Sequence, residues 1–337
     1  MPLFSKDLGI DVGTLFTRVV VGGHVVLQEP TVVAIAVEEQ KIVSVGQEAS
    51  NMYGRVPESI EVTRPLQNGV IADYDITEKL LEYLIKKVGG ATRLFPPRVM
   101  ITIPYGVTSV ESRAVHEATL QAGPRNVFLI QQPLAAAIGV DLPIGTPSGN
   151  MLISLGGGTT QAAVMAMFGI VAAETLRAGG LQLDEAIIAY VRKKFGLILG
   201  QPTAEQVKIK IGSAVPLDEE QHIEVQGQDQ VTGLPRSISL TSDDITESLR
   251  EPLRDVVETA RRVLEKTPPE LVSDIIDRGI ALCGGGALLR GIDKLLTKEL
   301  RVPAYLVDNP QTCIAEGAAL ALDPGMYPKI KRNLPPV

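Results

Sequence analysis

The reading of the fold turns on Met151–Met167, MLISLGGGTTQAAVMAM. Met151, Leu152 and Ile153 form an apolar run too short for a helix. Gly156, Gly157 and Gly158 follow without Cβ atoms, and Thr159 and Thr160 add hydroxyls. Such a turn lets backbone N–H groups converge on an anion. Gln161 to Met167 is an uncharged return strand. Alone, the stretch is equally a plain hairpin, because short glycine signals are common. A second copy changes its weight. Leu8–Gly23 reads LGIDVGTLFTRVVVGG, again strand, Gly13-Thr14 turn, and apolar return strand through Val19, Val20 and Val21. Two hairpins of phosphate-binding type in separate halves predict two similar domains facing one anionic ligand.

Length and composition are consistent with that picture. A chain of 337 residues can bury two cores. Hydrophobic residues make up 45% and charged residues 21%, as in ordinary globular proteins. A net charge of −7 argues against nucleic acid as the main partner. Cys283 and Cys313 form neither a disulfide framework nor a metal spacing, which fits a reduced, cytoplasmic compartment. MPLFSKDLG is too short and too polar for a secretory signal. The longest uncharged stretch, Leu142 to Ala173, is broken by proline and clustered glycine, so it is not read as a membrane span.

Along the chain, strands are predicted at Leu8–Val12, Thr17–Val21, Gln28–Val37, Lys41–Val45, Arg98–Ile103 and Val127–Ile130. Asp75-Ile-Thr-Glu78 reads as a capping box for a helix carrying Leu80, Leu81, Leu84, Ile85 and Val88. Thr108 caps a helix to about Ala122, and Pro133–Ile138 is a tight small-residue helix. In the second half, helices are expected at Asp184–Phe195, from a Thr203 cap to Ile211, and from Thr241/Ser242 to Lys266 with Pro252 as a kink or boundary. Pro268-Pro269 breaks the pattern. Ile280–Leu282 is a strand, and Gly284-Gly285-Gly286 leads into a helix at Ala287–Leu296. An alanine-rich helix follows from Thr312 to Leu322, and the tail MYPKIKRNLPPV reads as loose. Alternating strands and helices in both halves give an α/β class.

Hairpin, Pro133 helix, second hairpin and strand–GGG–helix occur in the order of the actin/heat-shock-70/hexokinase superfamily. Within it the chain closely resembles the MreB family of bacterial actin homologues over nearly its whole length. The resemblance is carried by EPTVVAI at 29–35, RPLQNGVIADYDITEKLLEYLIKKV at 64–88, GIVAAETLRAGGLQLDEAIIAYVRKKFGLILG at 169–200 and PPELVSDIIDRGIALCGGGALLRGID at 268–293. It implies a duplicated, actin-like (ribonuclease H-like) two-lobe fold with a nucleotide cleft. Lobe I takes 1–140 and about 323–337, with a small insert at about 32–72. Lobe II takes 141–322, with an insert at about 181–240. ATP is then expected in the cleft. Gly13, Thr14, Leu15 and Phe16 would meet the β- and γ-phosphates from one side, and Gly156, Gly157, Gly158 and Thr159 from the other. Gly286, Ala287, Leu288 and Leu289 would sit at a helix start that favours a polar ligand. Glu205, Gln206, Val207 and Lys208 form the turn that holds ribose and base in the family. From spacing alone, Glu205 and Lys208 read rather as a surface ion pair. Asp11 would hold Mg²⁺ through water, although an acid at a strand end is often just a turn former.

Three departures from the family pattern surround the expected γ-phosphate. Ser154 stands where an Asp is usual. Gln131-Gln132 stands for Glu-Glu, and Gln132 can orient a water but is no base; actin shares that glutamine. Thr14-Leu15-Phe16 replaces Thr-Ala-Asn. Slow or absent ATP hydrolysis is the expectation. Leu94 and Phe95, between Arg93 and Arg98, suit either a membrane loop or the core, and the family uses such a loop on the inner membrane face; Met1–Phe4 with Lys6 could assist. The function implied is a cytoskeletal filament of copies of this chain, peripheral at the cytoplasmic membrane, guiding cell shape through cell-wall elongation proteins. The alternatives are a non-hydrolysing paralogue that copolymerises with an active member, a small-molecule kinase, whose base and sugar pocket are not found, and a chaperone ATPase, which would need a further substrate domain.

Overall fold

The computed structural model describes residues 7–89 and 96–336. Leu94, Phe95 and the N-terminal Met1–Lys6 lie outside the described residues.

The first half runs β1 (Asp7–Val12), β2 (Phe16–Val21), β3 (His24–Pro30), β4 (Val33–Ala36), β5 (Lys41–Val45), α1 (Gln47–Asn51), β6 (Ile60–Thr63), β7 (Leu66–Gln67), β8 (Val70–Ile71), α2 (Tyr74–Gly89), β9 (Arg98–Ile103), α3 (Ser109–Gln121), β10 (Asn126–Gln131) and α4 (Gln132–Gly139). The second runs β11 (Asn150–Leu155), β12 (Thr160–Ala166), β13 (Gly169–Leu176), α5 (Gly180–Phe195), β14 (Leu197–Ile198), α6 (Gln201–Ile211), β15 (His222–Asp229), β16 (Pro235–Thr241), α7 (Ser242–Glu265), α8 (Pro269–Arg278), β17 (Ile280–Cys283), α9 (Ile292–Leu300), β18 (Ala304–Leu306), α10 (Cys313–Leu320) and α11 (Tyr327–Ile330).

Two five-stranded sheets have the same topology. The first is ordered β3-β2-β1-β9-β10 and the second β13-β12-β11-β17-β18. In each, the first three strands are antiparallel and the last two run parallel to the central one. The registers correspond too: Asp11 faces Arg18 across the first hairpin, and Ser154 faces Gln161 across the second. The duplication expected from the two glycine hairpins is therefore a duplication of whole sheets. Small sheets, β5-β4-β6 and β14-β15-β16, extend from each half.

The core has three parts. Leu80, Leu81 and Leu84 of α2 cover the outer face of the first sheet. Ile187, Val191, Leu249 and Val263 of α5 and α7 cover the second. Between the sheets, α4 and α10 pack with Met100, Leu152, Met165 and Ala281 from both. The expected division leaves α10 in the second lobe, but it packs on α4 and β1. Among the described residues, no helix is long and apolar enough to cross a membrane.

Several local expectations shift. The cap of α2 is Asp73, whose Oδ1 accepts the Ile76 N–H at 3.0 Å, while Asp75 lies in the first turn. Thr203 lies inside α6, which starts after Gly200. Pro252 sits within the 24-residue α7 and does not end it. Pro268-Pro269 starts α8 where only a break was expected; proline is at home in the first turn, where its missing N–H goes unneeded. The tail is ordered by Ile330, which is fully buried, and by Tyr327, whose ring meets Phe128 edge-on at 5.3 Å.

Cys283 and Cys313 are both free and buried beneath the junction of the sheets. Hydrogen bonding with Cys283, and then burial, push the Cys313 thiol far above the ordinary range. A neutral buried thiol is a poor nucleophile. Neither cysteine is expected to react with a thiol-specific disulfide reagent in the native protein, and both should react in denaturant. Rapid native labelling at either position would contradict this packing.

Candidate nucleotide cleft

The two hairpin turns meet at the interface of the sheets, and they are closed alike. Gly13 N–H donates to Phe16 O at 3.0 Å, and Gly156 N–H donates to Thr159 O at 2.8 Å. The N–H groups between them, on Thr14, Leu15, Gly157 and Gly158, have no hydrogen-bond partner among the described residues. The turns also touch. A Cβ on Gly158 would lie 2.4 Å from Thr14 Oγ1, and one on Gly157 would lie 2.5 Å from Leu15 Cγ. Only glycine allows that approach. The Gly156 and Gly157 carbonyls accept from Gly180 and Leu181 at the start of α5, each at 2.9 Å, which turns the amide side of the loop toward the cleft.

The turns line a cavity of about 470 Å³. Asp11, Gln132 and Ser154 line it at the hairpin end. At the other end are Glu205 and Lys208 of α6, with Gly286, Leu288 and Leu289. Of the residues expected to bind nucleotide, Gly13 to Phe16, Gly156 to Thr159, Glu205, Lys208, Gly286, Leu288 and Leu289 thus come together here. Three do not line the cavity. Val207 and Ala287 are buried in the core, and Gln206 points to solvent. The helix expected from Ala287 is a four-residue 3₁₀ turn, Gly285–Leu288, and α9 starts only at Ile292. Gly286 to Leu289 therefore contribute a close wall without the dipole of a full helix. A larger hollow of about 590 Å³ beside Glu185, Arg192 and Gln230 has no such turn.

The polar floor of the cleft is a chain of amides. Asp11 Oδ1 accepts from Thr102 Oγ1 at 2.6 Å and from Gln132 Nε2 at 3.1 Å. Gln132 Oε1 accepts from Gln161 Nε2, and Gln161 Oε1 accepts the Tyr105 N–H at 2.8 Å. Asp11 Oδ2 has no such partner among the described residues, and Asp11 lines the cavity. One free carboxylate oxygen suits a Mg²⁺ that keeps its waters and completes its shell with phosphate. No cluster of three or more acidic, His or Cys ligands exists among the described residues. The residues therefore fit a water-mediated ion and not a protein cage.

The ion pair that spacing alone would give Glu205 and Lys208 is not formed. Lys208 Nζ instead donates to Gly180 O at 3.0 Å and lies 2.7 Å from Asp184 Oδ1. Asp184 is fully buried, and burial raises its carboxyl to about 6 against the pull of Lys208. Lys208 thus ties α6 to α5 and leaves Glu205 free toward the cleft. Sequence reasoning missed Gln161, Asp184 and Gly69. Gly69 N–H donates to Thr14 Oγ1 at 3.0 Å and lines the cavity from the β7–β8 turn. The Asn68-Gly69 pair, a known hairpin signal, marked that turn in the sequence.

The MreB/Mbl protein family model matches residues 5–327. The chain belongs to the MreB/Mbl family. It is 49% identical to the cell shape-determining protein MreB of Pasteurella multocida over 95% of this chain and 94% of that one. It is 45% identical to the cell shape-determining protein Mbl of Bacillus cereus over 95% and 97%. Among solved structures, MreB5 of Spiroplasma citri is 30% identical. Its AMPPNP-bound form superposes with a TM-score of 0.92 and its ADP-bound form with 0.91, each covering 98% of this chain and 99% of that one. The expected actin-like two-lobe fold of the MreB family is the fold of this chain.

Proposed function

We propose that this MreB/Mbl chain binds ATP with Mg²⁺ in the cleft and polymerises into filaments that lie on the inner face of the cytoplasmic membrane and direct cell shape with cell-wall elongation proteins. The observation that carries the nucleotide reading is the pair of identically closed hairpin turns, whose free amides face one cavity. Relatives named for cell-shape determination and solved relatives holding ADP and AMPPNP support it. Asp11 would carry the hydrated ion, Glu205 the ribose, and Leu94-Phe95 the membrane contact.

Hydrolysis is slow in this reading. Both amide groups of Gln132 are engaged, one on Asp11 and one on Gln161. Asp11 and Glu205 are the only carboxylates among the described residues lining the cavity, so with Asp11 given to the hydrated ion no second acid is left at the hairpin end to serve as base. Loss of one positioned group costs on the order of 10²–10³ in rate. A non-hydrolysing paralogue that copolymerises with an active member is the second reading, favoured by this same lack of a second acid at the hairpin end. Electron microscopy of the purified chain with ATP, on anionic lipid and in solution, tests both. Filaments of the chain alone, denser on lipid, are expected. Filaments only with a second family member would establish the paralogue reading, and dispersed monomers under every condition would overturn both.

A further inference from the structure

Three cations line the cleft among the described residues: Arg18, Lys208 and Arg290. Two are committed. Lys208 is held by Asp184 and Gly180 O. Arg290 donates to Gln221 Oε1 at 2.6 Å and Lys210 O at 2.7 Å. Arg18 is different. It is only 9% exposed, yet no carboxylate lies within ion-pair distance of it among the described residues. Its Nε donates to Gln28 Oε1 at 3.2 Å, and its guanidinium lies 5.5 Å from the centre of the Phe16 ring. The two terminal nitrogens have no hydrogen-bond partner among the described residues. Burial lowers its pKa against the attraction of Asp11, but arginine stays charged at any working pH.

A buried charge without a counter-charge is costly. The facing acid, Asp11, attracts Arg18 from beyond ion-pair distance, so the cavity is where a directly paired anion would sit. The duplicated sheets sharpen this. Arg18 occupies in the first hairpin the position that Gln161 occupies in the second, each opposite the residue two before the turn glycine. Gln161 spends its amide on Gln132 and Tyr105. Arg18 spends one nitrogen on Gln28 and stacks on Phe16, which fixes the guanidinium with its remaining donors uncommitted.

We propose that Arg18 is a phosphate-binding residue of the cleft, a resident cation that neutralises the nucleotide's polyphosphate and makes its binding only weakly dependent on Mg²⁺. The proposal rests on the nucleotide reading above. It also gives Phe16 a role: the ring that replaces a small polar group in the first turn is the surface on which Arg18 is held. A guanidinium contact to phosphate is charge-assisted and two-pronged, so its loss is expected to weaken binding about 10- to 100-fold.

The test is titration calorimetry of the purified full chain with ATP, in magnesium and in EDTA, with adenosine as a phosphate-free ligand. In the native chain, EDTA is expected to weaken ATP binding by less than about tenfold. Arg18→Gln should lose a further ~10- to 100-fold in EDTA, keep its adenosine affinity, and melt no lower than the native chain. Arg18→Lys should recover part of the loss. Native ATP binding that vanishes in EDTA overturns the proposal without any variant. So does an Arg18→Gln chain that binds ATP like the native one, or that loses ATP and adenosine equally with a fall in melting temperature; the nucleotide reading survives each of these. A native chain that binds neither ligand in either buffer overturns the nucleotide reading and this proposal with it.

Discussion

Gly317→Leu is expected to cost the folded chain at least about 3 kcal/mol, and Gly317→Ala is expected to be clearly destabilising too. A Cβ at 317 would lie 1.7 Å from Ala135 O and 2.7 Å from Gly139 N. The contact is reciprocal, since a Cβ at Gly139 would lie 1.9 Å from Cys313 O. Helices α4 and α10 therefore cross backbone against backbone. On its other side, α10 presses on β1, where a Cβ at Gly9 would lie 2.3 Å from Ala319 N. Side chains could step aside from an added methyl group, but helix backbone cannot without moving both sheets. Since this layer is the shared core of the two halves, the loss should appear as one cooperative transition. Urea unfolding followed by circular dichroism checks it, with Leu320→Lys on the exposed side of α10 as a control expected within about 0.5 kcal/mol of native. A Gly317→Leu midpoint equal to the native one would show that the helices are not so closely packed.

That helix pair shows what the sequence could and could not disclose. The alanine-rich pattern at 312–322 predicts a helix, and the structure has one at 313–320. Composition cannot say which partner so many small residues serve, because a close crossing is a property of two segments 180 residues apart. The same limit separates the parts of the cleft. Gly156, Gly157, Gly158 and Gly13 are legible because a phosphate-type turn is local and its glycines are adjacent. The Thr108 cap is legible for the same reason, and its reciprocal bonds with Glu111 are present. Lys208 was legible as a cleft residue, but its partner was misread. Glu205 is its neighbour in sequence, whereas Asp184 is its neighbour in space. Gln161 could not be singled out before Tyr105 and Gln132 were known to flank it. Arg18 reads in sequence as one cation in an apolar strand, and only its burial beside an open cavity gives it meaning. Where local rules failed, a competing local rule had won. At α2, Asp73 took the cap from Asp75; at α8, proline started a helix that it was expected to interrupt.

Gln132→Glu is the second large effect, and its sign depends on pH. The substitution converts the Nε2 that donates to Asp11 Oδ1 at 3.1 Å into an oxygen facing an oxygen. Both groups are buried at the cavity wall, Asp11 5% and Gln132 7% exposed, so water screens them only weakly. Two carboxylates at that distance cannot both be charged, and the pair holds on to one proton. The folded-state pKa of the new acid is therefore raised above its unfolded value of about 4.3. A raised acid leaves the folded state at no disadvantage below the unfolded pKa, and the penalty grows as pH rises from there through the folded pKa. The variant should melt close to the native chain near pH 4 and fall progressively below it toward pH 8, by roughly 2–4 kcal/mol. Magnesium with ATP should restore much of the loss, because a divalent ion held at Asp11 relieves the same repulsion that the proton does. Adding a family-like acid back to this cleft is thus expected to harm the empty protein and to make its stability depend on the metal, which Gln132 avoids by donating a neutral amide. Differential scanning fluorimetry across pH, with and without Mg–ATP, reads both effects. A variant whose melting point tracks the native one at every pH would mean that Gln132 and Asp11 are not in contact.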